Sequence, residues 1–278
     1  MRILWFISND RSGSADAQMC DAIESEFSQA RLKVAGRTQF PAEELPDPRQ
    51  LDGAGVDTVV LFAGDGTINA AACALATWEG ALLILPGGTM NLLARKLHDS
   101  LDPETIIRAA LRKQRRIAIP YIEAANERAL VGVILGPAAY WYRARENVRS
   151  HRLRRVLAAA RHAWRATMGR GLRIDGVPAL AGAYQAVLVQ PRAGSLHVAG
   201  IVAHDWRTAA GLGIDWLRGQ WLEASAVDRA QTDALRPLDS HSVLALFDGE
   251  PVMLPPGAEL SGGTTRPQFL CTRDEEGA

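Results

Sequence analysis

The chain lacks any apolar run approaching the roughly 20 residues of a membrane-spanning helix, so helical spans are excluded. Cysteine is scarce. Cys20, Cys73 and Cys271 stand far apart, without metal-ligand spacing, which argues against a disulfide scaffold or a zinc ribbon. All three are expected to be reduced packing residues of a cytosolic protein. The opening MRILWFIS carries only a short apolar run and reads as a first strand, not a signal peptide. Net charge is also missing, with 31 Lys and Arg against 31 Asp and Glu. Internal repeats and low-complexity segments are absent. What remains is an ordinary globular composition, 47% hydrophobic, in a chain long enough for two domains with cores of their own.

The stretch from Val56 to Leu97 organises the sequence. Two apolar runs, Val59–Ala63 and Ala81–Leu85, are short enough to be buried strands. Each enters a glycine turn, Gly64-Asp65-Gly66-Thr67 and Pro86-Gly87-Gly88-Thr89, and each turn opens a helical stretch, Ile68–Trp78 and Met90–Leu97. That repeat is the layout of a parallel sheet binding an anion at its carboxyl edge. Glycine permits positive φ and close approach of a ligand to the backbone. The first N–H groups of a helix have no internal acceptor, and a phosphate gains both those donors and the positive end of the dipole. Thr67 and Thr89 are expected to cap a helix or to bind phosphate through the hydroxyl. A carboxylate beside phosphates repels them unless a cation intervenes, so Asp65 is the candidate Mg²⁺ ligand.

GDGTIN followed by PGGTMNLLAR resembles the diacylglycerol kinase catalytic family, the lipid kinases that include bacterial diacylglycerol kinases and the sphingosine and ceramide kinases. Asn9-Asp10-Arg11-Ser12-Gly13 resembles that family's Asn-Pro-x-Ser-Gly, with Asp10 where Pro is usual. Phe247-Asp248-Gly249-Glu250-Pro251 resembles its Asp-Gly-Glu motif. The resemblance implies an ATP- and Mg²⁺-dependent kinase for a lipid alcohol. It places nucleotide contacts at Asn9, Ser12, Gly13, Gly64, Gly66, Thr67, Gly88, Thr89 and Asn91. It puts Asp65 in the catalytic metal network and makes Glu250 the general base. Read without the family, Asp248-Gly249 is a hairpin turn and Glu250 an exposed strand residue. Three positions depart from the pattern. Leu92 stands where Asp is common, Ala70 where Glu is common, and the strand after the basic cluster 112–116 offers Ala118 and no acid.

The expected architecture is α/β. A Rossmann-like, parallel-sheet nucleotide-binding domain spans 1–118 and a mainly antiparallel β-sandwich spans 119–267, with a strand near 268–271 allowed to return to the first domain. In the first domain, strands are read at Ile3–Ser8 and Leu32–Phe40, and helices at Ser14–Ala30 and near Pro48–Leu51. Asp102-Pro103 starts another helix, with Asp as cap and Pro in the first turn. Past Arg116 the reading is short strands, at Ile117–Ala124, Ala129–Leu135, Leu172–Ile174, Tyr184–Gln190, His197–Val202, Leu222–Val227, Ala230–Leu235 and Ser242–Phe247. Two helices interrupt them, near Glu146–Met168 and Thr208–Trp221.

Charge is segregated. Ten arginines and one acid, Glu146, fall between Arg143 and Arg173, leaving 21 bases against 30 acids elsewhere, net −9. Val148, Leu153, Val156, Leu157, Ala160, Trp164 and Met168 fall near helical spacing, with Arg149, Arg152, Arg154, Arg155, Arg161 and Arg165 between them. Such a basic amphipathic helix over 146–168 suits an anionic membrane surface or packs as a solvated helix on its own domain. It carries no nucleic-acid motif, so no nucleic-acid partner is expected. The sequence therefore reads as a cytoplasmic, peripherally membrane-associated lipid kinase, and a homodimer is allowed. Two alternatives compete: a catalytically weak lipid or nucleotide sensor, favoured by the missing acids, and a kinase for a soluble substrate such as NAD.

Overall fold

The computed structural model describes residues 1–9, 17–140, 171–202 and 227–273. Two compact units divide the chain, Met1–Ile119 with Thr264–Ala278, and Pro120–Gly263.

The first unit alternates strand and helix: β1 (Ile3–Ser8), α1 (Ala17–Gln29), β2 (Lys33–Gln39), α2 (Pro48–Gly53), β3 (Thr58–Ala63), α3 (Asp65–Ala74), β4 (Ala81–Pro86), α4 (Leu92–Leu97), α5 (Pro103–Lys113) and β5 (Arg116–Ile117). The last strand of the chain, β17 (Gln268–Leu270), returns to this unit. The sheet order is β2-β1-β3-β4-β17-β5. β1 to β4 pair in parallel, β17 runs parallel to β4, and only β5 runs against its neighbour. Every residue of β3 and β4 is buried, as expected of central parallel strands covered on both faces. Phe27 of α1 meets Phe6 edge-on at 5.6 Å, and Ile106, Ile107 and Ala110 of α5 join the same core. Arg108 donates to both oxygens of Glu26, tying α5 to α1.

Local chemistry sets the helix ends. The Asp102 carboxylate accepts from Thr105 N–H, Pro103 occupies the first turn, and Gln114 closes α5 in the left-handed region at φ 45°. Asp47 and Pro48 start α2 in the same way. The helix expected at Ile68–Trp78 begins three residues earlier, at Asp65, and the one expected at Met90–Leu97 begins later, at Leu92.

One buried group has consequences for stability. His98, just past α4, is 2% exposed and bonded at both ring nitrogens. The Ile84 carbonyl can only accept, so Nε2 carries the proton (3.0 Å) and Nδ1 accepts from the Thr272 hydroxyl (2.9 Å). Burial is the main cause that lowers its pKa from 6.5 to about 4. An unfolded chain takes up this proton below 6.5, whereas the native chain does so only near 4. The stabilisation is complete above the upper value and is lost as pH falls toward the lower one, on the order of 3 kcal/mol. Urea midpoints of the parent and His98→Gln should therefore converge between neutral pH and pH 4. Parallel curves would remove His98 as the cause of acid lability.

The second unit is built from β6 (Pro120–Ala124), β7 (Glu127–Ala129), β8 (Val133–Leu135), β9 (Ile174–Asp175), β10 (Ala186–Arg192), β11 (Ser195–Ile201), β12 (Val227–Thr232), β13 (Ala234–Pro237), β14 (Val243–Phe247), β15 (Glu250–Leu254) and β16 (Leu260–Thr264). Two sheets form, β12-β11-β10-β8-β14-β15 and β7-β6-β16-β13-β9. Their inner faces share one core, including Val187, Val189, Val198, Ala245 and Phe247 from the first and Ile122, Leu235 and Leu260 from the second. This is the β-sandwich expected.

Several expected strands are corrected. Ile117–Ala124 divides into β5 and β6, which lie in different sheets, with Pro120 lacking the N–H to continue a ladder. Ala129–Leu135 breaks at Leu130–Gly132, whose amides turn toward Asp248. Ala230–Leu235 straddles the break between β12 and β13, and Leu172–Ile174 is one bridge from Leu172 to Tyr184 plus the two-residue β9. Strand β15 is the one implied by reading Asp248-Gly249 as a hairpin turn and Glu250 as a strand residue, whereas β16 has no counterpart among the expected strands. The helices expected near Glu146–Met168 and Thr208–Trp221 lie outside the described residues, as does all but the last residue of the strand expected at Leu222–Val227.

Candidate functional site

The site is at the carboxyl ends of β1, β3 and β4. Gly64 flanks α3 in extended conformation, φ −79° and ψ 164°, with no side chain to cap the helix. The first helical residues are Asp65, Gly66 and Thr67, whose position in the first turn leaves their N–H groups without intrahelical acceptors. Gly66 is exposed and Thr67 buried. Thr67 is therefore not the cap that its place in the turn suggested. Its hydroxyl accepts from Asn9 Nδ2 at 2.8 Å, and Asn9 N–H donates to the Phe62 carbonyl at 3.2 Å. Asn9 thus ties the end of β1 to the start of α3.

The second turn is packed onto the first. Gly87 N–H donates to the Ala63 carbonyl at 3.2 Å. A Cβ on Gly87 would stand 2.7 Å from the Ala63 nitrogen, and one on Gly88 would stand 2.6 Å from the Gly64 Cα. Glycine is required at both positions by backbone-to-backbone contact. Asn91 takes the left-handed region at φ 51°, and its side chain closes the turn. Oδ1 accepts from Gly88 N–H at 2.8 Å and Nδ2 donates to the Gly88 carbonyl at 2.9 Å. Thr89 is exposed in the turn, and α4 begins three residues later, so Thr89 does not cap it either.

Asp65 spans the two turns. Its Oδ2 accepts from Leu92 N–H at 3.1 Å and its Oδ1 from Leu93 N–H at 3.2 Å. The donor set does not fit a divalent ion held by the protein. Asp65 is the one acid among the described residues of these turns, each of its oxygens accepts an amide, and no group of three His, Cys, Asp or Glu that could hold a metal occurs among the described residues. Leu92, where an acid was looked for, contributes its backbone N–H. Ser12 and Gly13 lie outside the described residues.

Glu250 belongs to the second unit. It is exposed, opens β15 and pairs with Phe247 across a turn with Asp248 at φ 48° and Gly249 at φ 91°. Sequence reasoning took Asp248-Gly249 for that turn, and missed what Asp248 does. Its carboxylate accepts from three successive amides, Leu130 at 2.7 Å and Val131 and Gly132 at 2.9 Å each, while Asp248 N–H donates to the Gly132 carbonyl. An Asp-Gly pair signals the turn; nothing local signals the anion-binding loop it fills.

Comparison with solved structures defines the fold class. A diacylglycerol kinase from Bacillus anthracis str. Sterne aligns with TM-score 0.62 at 13% identity, covering 100% of this chain and 98% of that one. A second protein of that strain, provisionally designated a diacylglycerol kinase, aligns with TM-score 0.67 at 15% identity over the same shares. At such identities the likeness is one of fold: the parallel-sheet domain joined to an antiparallel one. Comparison with curated proteins found no match. The model of the diacylglycerol kinase catalytic domain matches residues 3–120. The matched span holds Asn9 and both glycine turns. Glu250 lies beyond it.

Proposed function

We propose that this protein is an ATP-dependent lipid kinase that phosphorylates the hydroxyl of diacylglycerol or a similar lipid alcohol. The observation that carries the reading is the pair of glycine turns at the ends of β3 and β4, tied to one another and to Asn9, within a span matching the kinase catalytic domain. Phosphoryl transfer is mostly positioning and charge stabilisation. The first-turn amides of α3, around exposed Gly66, are the phosphate donors. The lipid hydroxyl oxygen bonds to the γ-phosphorus, the bond to the β-phosphate bridging oxygen breaks, ADP leaves, and Glu250 takes up the hydroxyl proton. A divalent ion, which kinases of this family imply, would arrive on the nucleotide's phosphates and waters, as Mg²⁺ commonly does.

Labelled ATP, Mg²⁺ and a panel of mixed lipids should yield a labelled phospholipid. Gly88→Ala, which drives the turns apart, should lose nucleotide binding in calorimetric titration. A parent protein that binds nucleotide but labels no lipid favours the sensor reading, which one observation supports: the positions of the missing acids are filled by Ala70, Leu92 and Ala118.

We also propose reversible docking on anionic membranes through the arginines between Arg143 and Arg173. No helix among the described residues is long and apolar enough to cross a membrane; residues 146–168 lie outside that set, and this proposal rests on their sequence. Each Arg near an anionic surface contributes roughly 1 kcal/mol, screened beyond about 10 Å at 0.1 M salt. Changing Arg149, Arg152, Arg154 and Arg161 together to Gln should weaken sedimentation with anionic vesicles only, and salt should mimic the change in the parent. Equal binding before and after would assign docking to another surface.

A further inference from the structure

We propose that Asp65 is a positioning residue that supplies the anion at the start of α4 and locks the second glycine turn to the first, and that it is not a metal ligand. Only its effect on nucleotide binding rests on the kinase reading above. The local sequence provides no cap for α4. Asn91, the flanking residue, is left-handed and makes no side-chain cap bond, because its amide is spent on Gly88. The amides of Leu92 and Leu93 would be orphaned, and Asp65 reaches them from 27 and 28 residues away. Both carboxylate oxygens are used, one per amide. The gap spanned is short because Gly88 already rests against Gly64.

The charge follows the same geometry. A carboxylate at the first turn of α3 would repel an incoming phosphate. Here its charge is directed at the amides that begin α4, the positive end of that helix. The start of α4 is occupied from within the molecule, so phosphate contacts belong to the first turn, Gly64–Thr67, and the second turn is its buttress. The resemblance assigned both turns to the nucleotide and Asp65 to the metal; the hydrogen bonds divide those roles differently.

The test has two arms. Backbone amide exchange at Leu92 and Leu93, read by NMR in the full chain, should accelerate at least about tenfold in Asp65→Ala, while Val60 and Leu83 keep the parent's rates. Unchanged exchange at Leu92 and Leu93 would overturn the proposal. Should Asp65→Ala fail to fold, Mg²⁺ alone is added to the parent. Unmoved Leu92 and Leu93 resonances support the internal anion, and saturable shifts overturn it. The second arm is calorimetry of Asp65→Asn with ATP, in Mg²⁺ and in EDTA. Equal fold-losses in both media are expected of a positioning residue. A loss seen only with Mg²⁺ identifies a metal ligand and overturns the proposal. A parent protein that binds no ATP in either medium defeats the kinase reading, and amide exchange still decides the role of Asp65.

Discussion

Glu250→Gln is expected to cut lipid phosphorylation at least about a hundredfold, the low end of what general-base help contributes, with nucleotide affinity unchanged. The substitution removes the proton acceptor and keeps the shape. Glu250 is an exposed first residue of β15, an edge strand, and makes no ion pair with a basic residue among the described residues. Surface changes of this kind usually alter stability by no more than about 0.5 kcal/mol, so a large loss of turnover could not be blamed on unfolding. The proposed nucleotide contacts lie in the first unit, at the Gly64–Thr67 turn, and calorimetry with ATP should not distinguish the variant from the parent. Turnover like the parent's would take Glu250 out of the mechanism. Absent turnover in both proteins, with nucleotide binding intact, would mean a sensor and not a kinase.

The elements legible in the sequence are those whose causes are local. The apolar runs at Val59–Ala63 and Ala81–Leu85, the Asp102-Pro103 helix start and the glycine turns each carry their reason within a few residues. The family resemblance added that the two turns belong to one site. What escaped was tertiary. Thr67 looked like a cap because the Asn9 side chain that engages it is 58 positions away. That Asp65 accepts from the amides at the start of α4, 27 and 28 positions on, cannot be foreseen from its neighbours. Strand β16 reads Leu-Ser-Gly-Gly-Thr, a composition strands disfavour. Gly263 is needed there because a Cβ would overlap the Tyr121 ring, which also carries the Arg128 guanidinium 3.8 Å above its centre. Such glycines serve a partner on another strand, and no periodicity records them.

The same distinction predicts that Asp248, which no motif marked as structural, holds the second unit together. The residue is 8% exposed, and its carboxylate is the shared acceptor of three amides, two of them buried. Leaving a buried donor unpaired costs about 1–3 kcal/mol, so with two buried donors Asp248→Gly should destabilise by roughly 2–6 kcal/mol, a large part of the 5–15 kcal/mol typical of a domain. Gly is the informative replacement because Asp248 sits at φ 48°. Glycine accepts that conformation freely, so native-state backbone strain adds nothing to the loss. Asp248→Ala should cost about 1 kcal/mol more, because Ala pays the left-handed strain as well. Asp248→Asn keeps one acceptor oxygen and tolerates positive φ, and should fall between the parent and Gly. Urea unfolding followed by circular dichroism measures the order. Amide exchange at Leu130–Gly132 locates the cause, since those three should lose protection first. A cost below about 1 kcal/mol for Asp248→Gly would mean that water satisfies the loop, and that the turn before Glu250 holds its shape without the carboxylate.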